Sequence, residues 1–105
     1  MLQFAYTAEG WAAQTKNPID RTTPFREMVK KHGGKLVSVD FCFGEFDAVI
    51  LFEAPDDTAA AAIVLTTVSP GHIRATKTTR LIPVAEMLDA LAKAGSVSYQ
   101  GPPKG

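Results

Sequence analysis

The side chains of this sequence able to do chemistry are His32 and His72, the thiol of Cys42, the phenol of Tyr6, acids running from Asp40 to Asp57, and the bases Arg74, Lys77 and Arg80. Spacing joins none of them into a motif. The histidines stand at no metal-ligand spacing from Cys42 or Asp40, so no metal is expected. Cys42 lies between Phe41 and Phe43 with no basic neighbour to favour the thiolate, which reads as a packed, inert thiol. Gly33-Gly34-Lys35 runs from helix into strand, the wrong direction for a phosphate-cradling loop, and reads as a helix stop. Gly44-Glu-Phe-Asp47 reads as turn chemistry, with a flexible glycine and an acid able to satisfy turn amides. His32 falls on the apolar stripe of a helix and His72 at the start of an edge strand, where packing and solvation are the default roles. The polar groups that could converge in an apolar cavity are Tyr6, Asp40, His72, Arg74 and Arg80, and their chemistry would suit a small-molecule ligand.

The elements that must position them are legible from hydrophobic period. Leu2 to Thr7 alternates, placing Leu2, Phe4 and Tyr6 on one face of a strand. Glu9 to Asn17 has no strong period and is expected to be a loop or short turn. Asn17-Pro18 and Thr23-Pro24 are possible caps for a helix whose stripe is Phe25, Met28, Val29 and His32. Leu36 to Phe41 alternates again, with Val37, Val39 and Phe41 on one face and Leu36, Ser38 and Asp40 on the other. Ala48 to Phe52 is apolar on both faces, so both must be covered.

Asp56 is the expected cap of the next helix, with Asp57 in its first turn and Ala61, Val64, Leu65 and Val68 as its buried stripe. His72 to Ile82 is a polar, threonine-rich strand suited to a sheet edge. Pro83 opens a last helix with Val84, Met87, Leu88 and Leu91 at helical spacing. Residues 1–95 are expected to form one domain and 96–105 a flexible tail.

The order is βαββαβ plus a terminal helix, an α+β sandwich of the ferredoxin-like kind. Right-handed crossovers give an antiparallel sheet in order 4-1-3-2 with both crossover helices on one face. The other face of the doubly apolar strand would lie open on a monomer, and the simplest cover is a second copy packed sheet to sheet, as in dimeric α+β barrels.

Composition narrows the partners. The 105 residues are 46% hydrophobic, with 11 basic and 11 acidic side chains and one cysteine. That suits one globular domain without an internal disulfide, and no membrane or non-specific nucleic-acid affinity is expected. The start, Met1-Leu-Gln-Phe-Ala-Tyr, has neither a basic run nor a long apolar one, and a cytoplasmic location is expected. The same element order builds RNA-recognition domains, but Gly44-Glu-Phe-Asp-Ala-Val-Ile-Leu-Phe52 is acidic where a phosphate-facing strand should be basic. The net balance hides a pattern: no lysine or arginine lies between Leu36 and Ile73, and no acid between Thr58 and Ala85. In a homodimer, Arg74 or Arg80 is therefore expected near Asp40, Glu45 or Asp47 of the other copy.

Several stretches carry a family likeness: Phe4-Ala-Tyr-Thr with Gly10, His32-Gly-Gly-Lys, Gly44-Glu-Phe-Asp47, Glu53-Ala-Pro-Asp-Asp-Thr-Ala-Ala-Ala-Ala and Pro70-Gly-His-Ile-Arg-Ala-Thr-Lys-Thr. From about Phe4 to Pro83 the chain resembles the GYD-domain family. The resemblance implies a small bacterial or archaeal protein of dimeric α+β barrel type, with no established reaction; no cofactor is expected. The signature tyrosine of that family is Phe46 here, which removes a phenolic donor.

Three functions follow from these readings. The first is a homo-oligomeric binding or accessory module holding a small molecule near the inter-sheet face. The second is a cofactor-independent enzyme, oxygenase- or isomerase-like, acting on a hydrophobic or aromatic compound. The third is a structural or regulatory assembly module without a ligand. The first is preferred.

Overall fold

A computed structural model describes residues 1–103. The elements are β1 (Leu2–Tyr6), α1 (Ala8–Lys16), α2 (Thr22–Lys31), β2 (Lys35–Phe41), β3 (Ala48–Glu53), α3 (Asp57–Val68), β4 (Ile73–Thr78) and α4 (Val84–Gly95). The four strands form one antiparallel sheet in order β2-β3-β1-β4, which is the expected 4-1-3-2 order of the ferredoxin-like fold. Of the expected tail over 96–105, residues 104 and 105 lie outside the described residues.

The core forms where β1 and β3 meet α2. Leu2, Phe4, Ala48 and Ile50 are buried with Phe25 and Leu36, and Met28, Val39 and Phe52 pack around them. Registers Leu2↔Ile50 and Phe4↔Ala48 put these side chains on one face. The opposite face of β3 is Val49 and Leu51, only half-buried in the single chain.

The faces of β2 differ from the simple alternation. Leu36 is paired with Phe52 but Ser38 with Leu51, so Val37 is an extra, bulged residue. The bulge brings Leu36 onto the core side together with Val39 and leaves Val37 exposed. A similar shift between Ala5 and Tyr6 leaves Arg74 unpaired and brings Ile73 beside Tyr6.

The helices also correct several expectations. The Glu9–Asn17 stretch is helical, because Thr7 supplies the cap: its hydroxyl accepts from the N–H of Gly10 at 3.0 Å. The N-cap of α2 is Arg21, which makes no side-chain capping bond, and not Asn17 or Thr23. Asp20 Oδ1 accepts from the N–H of Thr22 at 2.8 Å, and Pro24 sits inside the first turn, where its missing N–H is not needed. Asp56 does cap α3, accepting from Ala59 N at 2.8 Å. The buried residue of α3 is Ile63, with Val64 and Thr67 half-buried beside it, whereas Ala61 and Leu65 point to solvent. An apolar-rich helix has no single stripe to read, and its rotation is set by what it packs against.

At the end of α2 the chain closes by two bonds, Gly33 N to Lys30 O and Gly34 N to Val29 O, both 2.9 Å. Gly33 takes the left-handed conformation at φ 80° that this closure needs. Gly34 lies against β3 so closely that a Cβ there would collide with the carbonyl of Glu53.

Candidate functional site

Tyr6 ends β1 with its ring in the middle of an aromatic row. Its centroid is 5.2 Å from Phe4, edge-on, and 5.0 Å from Trp11. Phe4 in turn lies 5.9 Å from Phe25, and Trp11 6.3 Å from Phe41. Burial raises the pKa of the Tyr6 phenol, and the Asp47 charge adds to this, while the charge of Arg21 and a hydrogen bond with Gln14 pull the other way. The phenol is thus held protonated at neutral pH.

The backbone around Tyr6 is pinned from two directions. Asp47 Oδ2 accepts from the N–H of Tyr6 at 2.9 Å, and Asp47 N donates to Phe4 O at 2.9 Å. The acid of the Gly44–Asp47 turn therefore serves a neighbouring strand and not its own turn. On the other side, Thr7 N donates to His72 O at 2.8 Å. Gly10 fits between the two: a Cβ there would stand 2.9 Å from His72 O and 3.3 Å from Tyr6 Cδ1. A glycine is needed because α1 crosses the start of β4 at contact distance.

His72 opens onto a cleft of about 140 Å³ between α2, α3 and the start of β4, lined by Arg21, Phe25, Thr66, Thr67 and Ile73 among others. Arg21 also lies over the Phe25 ring, 5.9 Å from its centroid. The first turn of α2 carries no acid of its own, and the Asp20 carboxylate just before it is held on the N–H of Thr22. On the far side of Thr66, His32 Nε2 and Thr66 Oγ1 are 2.9 Å apart, which satisfies that histidine as a packing residue.

Of the five candidates, Tyr6 and His72 are brought together on either side of Gly10. The other three lie elsewhere. Asp40 is exposed on β2, across the sheet from β4. Arg74 is exposed at the β4 bulge. Arg80 lies past the far end of β4, where its Nη1 is 3.9 Å from Asp57 Oδ1. Both groups of that pair are largely in water, so it contributes little stability. Arg80 thus finds an acid within its own chain, and Asp47 is occupied by Tyr6, so two members of the expected inter-copy charge pairing have partners already. Tyr6 and the cleft lie on the helix side of the sheet, away from the face that another copy was expected to cover.

Sequence reasoning missed Trp11, Gln14 and Arg21. The lone tryptophan falls in a stretch without period, and Arg21 precedes a helix whose cap was placed elsewhere. Cys42 is half-buried and its thiol donates to Phe46 O at 3.1 Å. Among the described residues no group of three or more His, Cys, Asp or Glu could hold a metal ion, and no helix is long and apolar enough to cross a membrane.

No curated protein and no solved structure matches this chain. A family model described as GYD domain matches residues 1–91, which takes in the whole sheet and most of α4, and the protein belongs to the GYD-domain family.

Proposed function

We propose that the protein is a self-associating binding module that holds a small anionic molecule in the cleft beside His72. The observation that carries this reading is the convergence of Arg21 and His72 on a partly apolar cleft walled by Phe25 and Ile73, whose threonine hydroxyls, Thr66 and Thr67, donate to the carbonyls of Ala62 and Ile63. A volume near 140 Å³ is below the ~300–1,000 Å³ of sites for drug-sized ligands. The ligand is therefore a compact acid, a carboxylate or inorganic oxyanion, and not a nucleotide. Arg21 is the principal anchor because its guanidinium can grip a carboxylate through two parallel hydrogen bonds. Proton-transfer chemistry is less well supported: the buried phenol of Tyr6 stays protonated and serves as a packing group in the aromatic row.

Titration of the isotope-labelled full chain with acetate, benzoate and phosphate, followed by amide chemical shifts, tests the proposal. Shifts should concentrate at Arg21, Thr66, Thr67 and His72, and Arg21→Ala should weaken binding about tenfold or more, as expected for loss of a charge-assisted hydrogen bond. Titrations without localised shifts, or with shifts that Arg21→Ala leaves unchanged, would overturn it.

A further inference from the structure

Helix α4 has the sequence of a core helix and the surroundings of a surface one. Its apolar stripe Val84, Met87, Leu88 and Leu91 is 75%, 40%, 60% and 58% exposed. None of its residues is buried. The molecule is correspondingly long, with a radius of gyration of 18.3 Å and extents of 59 × 36 × 20 Å. A compact chain of about 100 residues has a radius of gyration near 13 Å. An isolated helix of 12 residues is marginal in water, because packing and not propensity supplies most helix stability. The helix therefore needs a surface to lie on.

The chain carries such a surface close by. An open trough of about 1000 Å³ runs between α3, the ends of β2 and β3, and the segment leading into α4. Its apolar lining includes Leu51, Val64, Leu65, Leu81 and Ile82. The base of α4 forms one wall, since Pro83 and Glu86 also line it. The launch point is fixed by two backbone bonds, Thr79 N to Met1 O at 2.8 Å and Met1 N to Thr79 O at 2.7 Å. Pro83, extended at ψ 149°, then directs the helix away from its own body.

We propose that α4 is an exchange arm: each copy lays its α4 in the trough of a second copy, which returns its own. This rests on the self-association proposed above and names the element that carries it. A helix about 18 Å long and 10–12 Å wide covers roughly 300 Å² with half its girth. Two helices and two troughs then bury roughly 1,200 Å², the lower end of the range for stable, specific interfaces. Two-fold symmetry makes the exchange close on itself and stop at a dimer. Charge sets the orientation of the occupant and not its affinity, since α4 itself carries Glu86 and Asp89 beside Lys93. The trough is rimmed by Glu53, Asp56 and Asp57, with Arg80 their nearby cation, and the last turn of α4 brings Lys93.

The test uses the full chain. Sedimentation velocity at micromolar concentration should give a dimer, and the double variant Leu88→Glu, Leu91→Glu should give a monomer whose sheet domain remains folded, with a thermal midpoint that no longer depends on protein concentration. In a Cys42→Ser background, Leu65→Cys with Leu88→Cys should be joined by a short bismaleimide into covalent dimers. A monomeric wild type overturns both the exchange and the self-association. A dimer that survives the double glutamate variant overturns the exchange alone and assigns the contact to the sheet face. Cross-linking within single chains overturns it too, because α4 would then fold back on its own trough.

Discussion

The carboxylate of Asp47 holds the backbone N–H of Tyr6 at 2.9 Å, across two neighbouring strands. The paired register of β1 and β3 ends at Phe4↔Ala48. One residue further, Asp47 N still reaches Phe4 O, but the Tyr6 amide has no strand backbone to meet on that side, and the side chain of Asp47 takes over. An orphaned amide inside the sheet would cost the full desolvation of a polar group. The aspartate of the Gly44–Asp47 turn thus extends a sheet ladder and, through it, sets where the Tyr6 ring enters the aromatic row.

Asp47→Ala should therefore destabilise the fold by about 1–3 kcal/mol. Asp47→Asn keeps an acceptor oxygen in the same place and should recover much of that loss. Urea denaturation of both variants checks this. Equal losses would mean that the charge of Asp47 matters more than its hydrogen bond.

Within β3, Ile50 is buried against α2 while Leu51 is half-buried on the opposite face. Ile50→Ala should cost about 2–5 kcal/mol, as for a filled core position. Leu51→Ala should cost clearly less in dilute protein, and its cost should grow with protein concentration if another copy covers it. Denaturation midpoints across a hundredfold concentration range separate the two.

Gly34→Ala should destabilise by about 1–3 kcal/mol through overpacking. Its new methyl group would meet the Glu53 carbonyl and the Val29 side chain, and neither can withdraw without disturbing β3 or α2. Gly95→Ala, where a Cβ meets nothing, is the control. Thermal melts of the two variants should differ in sign or size accordingly.

The buried Tyr6 phenol gives a pH dependence of definite sign. Its pKa is raised above the ordinary 10.0, with burial the leading cause. Below that pH both folded and unfolded chains hold the proton and stability is full. Above it the unfolded chain loses the proton first, so stability falls as pH rises through the folded-state value. Tyr6→Phe should flatten this alkaline decline, measured as urea midpoints between neutral and strongly alkaline pH.

Apart from helix α1, which was expected to be a loop, the order of the elements, the sheet order and the stop at Gly33 were legible in the sequence, because period, glycine conformation and crossover handedness are local or topological rules. The pairing of Asp56 with the start of α3 was legible for the same reason. What tertiary structure alone decided is which surface covers which apolar residue. A bulge at Val37 turned Leu36 into the core, and the alternating letters of β2 look the same with or without it. The apolar-rich α3 could have been rotated several ways, and contact with the sheet selected Ile63 over Leu65. The stripe of α4 says that the helix must be covered, but hydrophobic period encodes a face and not its partner, so only the fold could show that its own domain leaves it bare. The site followed the same rule. Tyr6 and His72 stand 66 positions apart by their numbers in the chain, and they are neighbours because Gly10 lets α1 close against the start of β4, a contact that no local pattern records.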